Sequence, residues 1–102
     1  MQGSVILKKI SESNLILVYF SQPECIVCQS LRPKIEALVS DQPGVQFQYV
    51  DLLTFPVLRG QYLIFTVPTI ILFYLGKEVK RWSRFMSVGE IEQELKRYRE
   101  EK

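Results

Sequence analysis

A chain of 102 residues, 47% hydrophobic and 24% charged, has the composition of one globular domain with a modest core. Its net charge of +2 is too small to argue for a polyanionic partner. No apolar run approaches the roughly 18 residues of a membrane span. Two cysteines and no histidine fall short of the four ligands of a zinc site, so no metal is expected within one copy.

The opening MQGSVILKKIS places Val5, Ile6 and Ile10 at helical spacing. Its lysines follow a short apolar run instead of preceding a long one, unlike a secretory leader, so the chain reads as cytoplasmic. LILVYF, Leu15 to Phe20, is an unbroken apolar run that suits a central strand covered on both faces. From Cys25 to about Val39 the pattern turns helical, with Leu31, Ile35 and Leu38 on one stripe and Pro33 expected to kink it. DQPG reads as a turn.

VQFQYVDL alternates, which predicts an edge strand with Gln46 and Gln48 on a wet face. TFPVLRGQYL predicts a short helix with Thr54 as cap and Pro56 early. TIILFYL, with its aromatic stretch Phe73 to Leu75 assigned to the core, then pairs through a turn at Gly76 with EVKRWSR in a hairpin of about 69–75 with 78–84. Ser87 and Glu90 have capping-box spacing ahead of a final helix with the stripe Ile91, Leu95 and Tyr98. The order α-β-α-β-α-β-β-α gives an α/β fold in one domain, 1–102. A mixed four-stranded sheet carries helices on both faces. The basic stretch KEVKRWSR is read as a solvated strand and turn, not a nucleic-acid site.

Both cysteines lie in SQPECIVCQS, three positions apart between the apolar strand and the helix. Three readings compete: a reactive dithiol, two inert buried thiols, or half of a metal site bridging two copies. A reducing compartment disfavours a structural staple and raises the odds of chemistry. A helix start favours thiolate on the first cysteine, and the second returns to the same face one turn later. Cys25 is therefore the expected nucleophile and Cys28 the more buried resolving thiol.

Taken together, the strand LILVYF, Cys25-Ile26-Val27-Cys28, Pro33 and Val67-Pro68-Thr69 before IILFYLGKEV resemble the thioredoxin family over nearly the whole chain. The resemblance implies a thioredoxin fold, here with little room for the family's first strand. It also implies a cis proline at Pro68 beside the sulfurs, no cofactor, and no membrane partner. The implied activity is thiol–disulfide exchange as a monomer, reducing protein disulfides with electrons from a thioredoxin-reductase-like donor. Substrate contacts would come from Ile26, Val27, Val67 and Pro68, with Arg84 at the rim favouring acidic segments. The chain departs from the family where a buried aspartate is usual, at Tyr19, and where its lysine neighbour is usual, at Phe47. A glycine near the groove is replaced by Arg84.

Glu24 beside Cys25 opposes a thiolate. At roughly 5–6 Å and an effective dielectric near 20 the repulsion is worth up to about 3 kcal/mol, less when exposed. That predicts a reductant with a potential nearer roughly −270 mV than −120 to −180 mV; the competing reading is that Glu24 turns into solvent and changes little. Two further readings stand beside the reductase: a non-enzymatic interaction module on the same fold, favoured by the missing aspartate, and a glutathione-dependent glutaredoxin. The last fits Thr66-Val67-Pro68 but not the residues after the hairpin.

Overall fold

The computed structural model describes residues 3–100. Its elements run α1 (Ser4–Glu12), β1 (Leu15–Ser21), α2 (Ile26–Ser40), β2 (Gln46–Asp51), α3 (Val57–Gln61), β3 (Thr69–Tyr74), β4 (Lys77–Ser83) and α4 (Val88–Glu100). This is the order expected from the sequence. The four strands form one sheet in the order β2-β1-β3-β4. β1 is parallel to β2, with Tyr19 opposite Tyr49, and antiparallel to β3, with Tyr19 opposite Ile70.

β1 is buried at every position because the sheet has a layer on each side. Leu15, Leu17 and Tyr19 point to α2 and α4, where Ile35, Leu38, Ile91 and Leu95 close the core. Ile16, Val18 and Phe20 point to α1 and α3, meeting Ile6, Ile10 and Leu58. Period-two alternation thus feeds two separate cores, and an unbroken apolar run is the sequence that does so. Trp82 belongs to the α2–α4 core.

Several local expectations are corrected. Val5 is exposed, so the buried stripe of α1 is Ile6 and Ile10 alone. Thr54 does not cap α3: the helix begins after Pro56 with no side-chain cap, while the Thr54 N–H donates to the Asp51 carbonyl. Of the two glutamines assigned to a wet face, only Gln46 is exposed; Gln48 is half-buried beneath α1 and accepts from Lys9 Nζ at 3.1 Å. Leu75, counted with the core aromatics, is exposed because the hairpin turns there. Leu75 and Gly76 have φ of 52° and 84°, so both central residues of this two-residue turn are left-handed. The strands stop at Tyr74 and resume at Lys77, with a bulge between Leu72 and Phe73. At the last helix Ser87 Oγ accepts the Glu90 N–H at 3.3 Å, as its spacing predicts.

Candidate active site

Where β1 ends, Gln22 to Cys25 fold into a tight cap in which the Cys25 N–H bonds the Gln22 carbonyl at 3.1 Å. Cys25 is the N-cap of α2 and has extended backbone. Its Sγ accepts the Cys28 N–H at 3.2 Å, taking the role a serine or aspartate oxygen plays at ordinary helix starts. Unpaired amides and the helix dipole favour negative charge at that sulfur. Cys28 lies one turn on, with Cα atoms 5.2 Å apart, and the two are joined in a disulfide. Cys25 is half-buried and Cys28 has no exposed surface.

The carbonyl of Cys28 accepts a hydrogen bond from Tyr19 Oη at 2.6 Å. Tyr19 is fully buried, and its phenol is pushed up to about 12, by burial first and by neighbouring Tyr49 second. It therefore stays protonated at neutral pH and cannot accept a proton from the cysteines. Its ring stacks on Tyr49 at 5.9 Å, and the Arg32 guanidinium lies 3.5 Å over the far ring. Phe47 is the other ring beside Tyr19, at 6.3 Å. The pair of polar groups usual in the family is thus replaced by an aromatic layer under α2. Asp51 stands at the cysteine end of the sheet, opposite Ser21, but its carboxylate is turned to the Leu53 N–H at 2.8 Å.

Around Cys25 lies an open groove of about 470 Å³, lined by Glu24, Ile26, Val27, Thr66, Val67, Pro68, Arg84 and Phe85. All the residues expected at the site meet here except Cys28, which sits beneath. The Val67–Pro68 peptide bond is cis. Thr69 Oγ1 donates to the Thr66 carbonyl at 2.6 Å, which holds the approach to Pro68 in a closed turn. Opposite, Arg84 has φ of 64° and its N–H bonds the Pro68 carbonyl at 3.2 Å. Glycine takes that backbone freely; arginine holds it at a cost of order 1–3 kcal/mol.

Phe85 was not anticipated. It is 94% exposed on the groove wall, beside Ile26 at 80% and Val27 at 58%, so the rim of the cysteine pair is apolar. The left-handed backbone at Arg84 turns the chain so that the next side chain leaves the hairpin, and no local sequence pattern announces it. The Tyr19–Cys28 bond was also missed, although a tyrosine buried in an apolar strand needs a partner for its hydroxyl. Among the described residues no group of three or more Cys, His, Asp or Glu is placed to hold a metal, and no helix is long and apolar enough to cross a membrane.

A mixed sheet with a vicinal disulfide-forming pair at a helix start defines a thiol–disulfide protein of the Cys-x-x-Cys class. The comparisons agree. The thioredoxin family model matches residues 4–97. A thioredoxin-like protein of Bacillus subtilis, YdfQ, is 30% identical over 88 residues, covering 86% of this chain and 79% of that one. The thioredoxin of Chlamydia trachomatis is 41% identical over 69 residues, 68% of each chain. Among solved structures, a mutant thioredoxin from Halobacterium salinarum superposes with a TM-score of 0.84 at 25% identity, over 96% of this chain and 87% of that one. Thioredoxin 1 from Thermosipho africanus gives 0.77 at 32% identity, over 83% and 94%. The chain belongs to the thioredoxin family and is a thioredoxin-like oxidoreductase.

Proposed function

We propose that this protein reduces disulfides in other proteins, with Cys25 as nucleophile and Cys28 as resolving thiol. The observation that carries the reading is the asymmetry of the pair: one cysteine half-buried at the N-cap of α2, the other fully buried one turn on. In the reduced protein the Cys25 thiolate attacks one sulfur of the substrate disulfide. That S–S bond breaks and the departing thiolate takes a proton. Cys28 then loses its proton and attacks Cys25 Sγ, forming the Cys25–Cys28 disulfide and releasing the second substrate thiol. Two electrons pass to the substrate, and a thioredoxin-reductase-like donor returns them.

The substrate segment lies across Ile26, Val27, Val67 and Pro68, pairing by strand addition along the exposed backbone near Pro68. Arg84 draws acidic segments, and Glu24 opposes the Cys25 thiolate and so lowers the potential. The protein works as a single copy in the cytoplasm. The interaction-module reading draws on one observation, the un-ionised Tyr19 where a proton acceptor would serve the second step.

Equilibration in graded redox buffers, followed by turnover of a protein disulfide with a reductase, tests this. The expected results are a reversible intramolecular disulfide with a potential below roughly −250 mV, complete loss in Cys25→Ser, and a trapped mixed disulfide in Cys28→Ser. A potential above about −200 mV overturns the reductant assignment, and undiminished turnover in Cys25→Ser overturns the mechanism.

A further inference from the structure

Both walls of the cysteine groove are tied to β4. Arg84 and Phe85 follow directly from its last residue, Ser83. Facing them, the wall of Thr66, Val67 and Pro68 is bound to the same strand. The Arg84 N–H bonds the Pro68 carbonyl at 3.2 Å, and Ser83 Oγ lies 3.3 Å from Thr69 Oγ1. Just ahead of Thr66 the tie is a single side chain, that of Arg81.

Alternation along β4 puts Trp82 in the α2–α4 core and so turns Arg81 to the opposite face, toward α3. Its Nη2 donates to the Tyr62 carbonyl at 2.9 Å and its Nη1 to the Leu63 carbonyl at 3.1 Å. Nε and Nη2 also donate to the two carboxylate oxygens of Glu78, each at 2.8 Å. Glu78 and Arg81 stand at i and i+3, and in a regular strand they would point to opposite faces. The bulge brings them together: β3 advances one residue from Leu72 to Phe73 while β4 passes from Lys80 to Glu78. A bulge of this kind re-aims a side chain, here so that a carboxylate fixes the plane of the guanidinium.

The segment Arg81 holds is the irregular link between α3 and the groove wall. Leu63 has φ of 55°, a left-handed backbone that leucine adopts at a cost and keeps only where its surroundings hold it. Its side chain is exposed, so packing is not what holds it. Hydrogen bonds are. Arg81 takes the carbonyls of Tyr62 and Leu63, Arg59 Nη1 takes that of Ile64 at 3.1 Å, and Thr69 Oγ1 takes that of Thr66. Arg59 belongs to α3 itself and Thr69 to β3, whereas Arg81 comes from the strand that leads into the opposite wall.

We propose that Arg81 is a positioning residue: it fixes the spacing of the two groove walls and thereby the seat of the protein segment that carries the disulfide. The proposal rests on the reductase reading and concerns recognition, not the exchange step. It calls for a guanidinium, whose fork serves a bidentate carboxylate and two carbonyls at once. A lysine ammonium keeps the charge and loses that geometry.

The test compares full-length wild type, Arg81→Met and Arg81→Lys in the reduction of insulin disulfides, the potential of the Cys25–Cys28 pair and backbone amide order parameters. In both variants KM for insulin should rise about threefold or more with kcat kept, as uniform binding is lost. Order parameters should fall from Tyr62 through Val67, while the potential of the pair stays at the wild-type value. An arginine that is merely structural lowers the melting temperature and moves neither KM nor the order parameters of Thr66 and Val67; that result overturns the proposal. So does a loosening that stops at buried Ile64, or a wild-type KM in Arg81→Lys. If circular dichroism shows Arg81→Met unfolded, Arg81→Lys alone is judged by the same outcomes. If wild type reduces no insulin, the reductase reading falls, and the order parameters of Thr66 and Val67 decide for or against the clamp.

Discussion

Replacing Tyr19 by phenylalanine removes one hydroxyl from the layer beneath the cysteine pair and leaves the ring. The bond lost is the 2.6 Å donation to the Cys28 carbonyl. That carbonyl also serves the helical ladder of α2, so it is not stripped of every partner. The cost at pH 7 should therefore sit near the ordinary net value of one buried hydrogen bond, about 1 kcal/mol. For a domain of this size that lowers the melting temperature by about 4–8 °C. The pH dependence is more discriminating. Burial raises the phenol from 10.0 to about 12, so the folded state holds this proton more tightly than the unfolded chain. The hydroxyl's contribution is then fully present below pH 10 and is lost as pH rises toward 12. At pH 11, one unit above the unfolded value, the loss is up to about 1.4 kcal/mol, which cancels the advantage of tyrosine. Paired urea titrations of both proteins from pH 7 to 11 cancel the titration of every other group. The reasoning fails if the two proteins are equally stable at pH 7, or if their difference stays constant to pH 11.

Four further substitutions probe other parts of the fold. Leu75→Asn should gain about 0.5–1 kcal/mol, since the left-handed turn suits asparagine and Leu75 is exposed, whereas Gly76→Ala at φ 84° should lose about 1 kcal/mol in thermal unfolding. Arg84→Gly should raise stability by about 1 kcal/mol by relieving its left-handed backbone, the N–H bond to Pro68 being retained, while selectivity for acidic over basic peptide disulfides falls in competition assays. Ile91→Ala, fully buried between α4 and the sheet, should cost about 2–5 kcal/mol in urea titration.

The elements whose local preference and burial agree were legible in the sequence. β1 reads as a doubly covered strand because all of its residues are apolar up to Ser21, and α4 reads from one stripe and one capping serine. The cysteine pair was legible for the same reason: a strand, two thiols and a helix start follow one another between Leu15 and Cys28. Part of what escaped depends on contacts made at long range. Gln48 looks solvated until α1 places Lys9 over it, 39 positions away. Thr54 looks like a cap, but Asp51 at the end of β2 takes the local amides first. Phe85 reads as the end of a strand; only the left-handed Arg84, tied to Pro68, swings it to the groove.

The unequal exposure of the two sulfurs carries a kinetic consequence. With Cys28 sealed beneath α2, every exchange in the proposed cycle must pass through the single sulfur of Cys25. Electron donor and electron acceptor then compete for one opening and cannot be engaged together. Turnover must alternate between them, as a ping-pong scheme whose double-reciprocal plots run parallel. Excess substrate should inhibit by blocking re-reduction only if it also binds the oxidised groove, which makes the depth of that inhibition a direct reading of how far recognition depends on the thiolate itself.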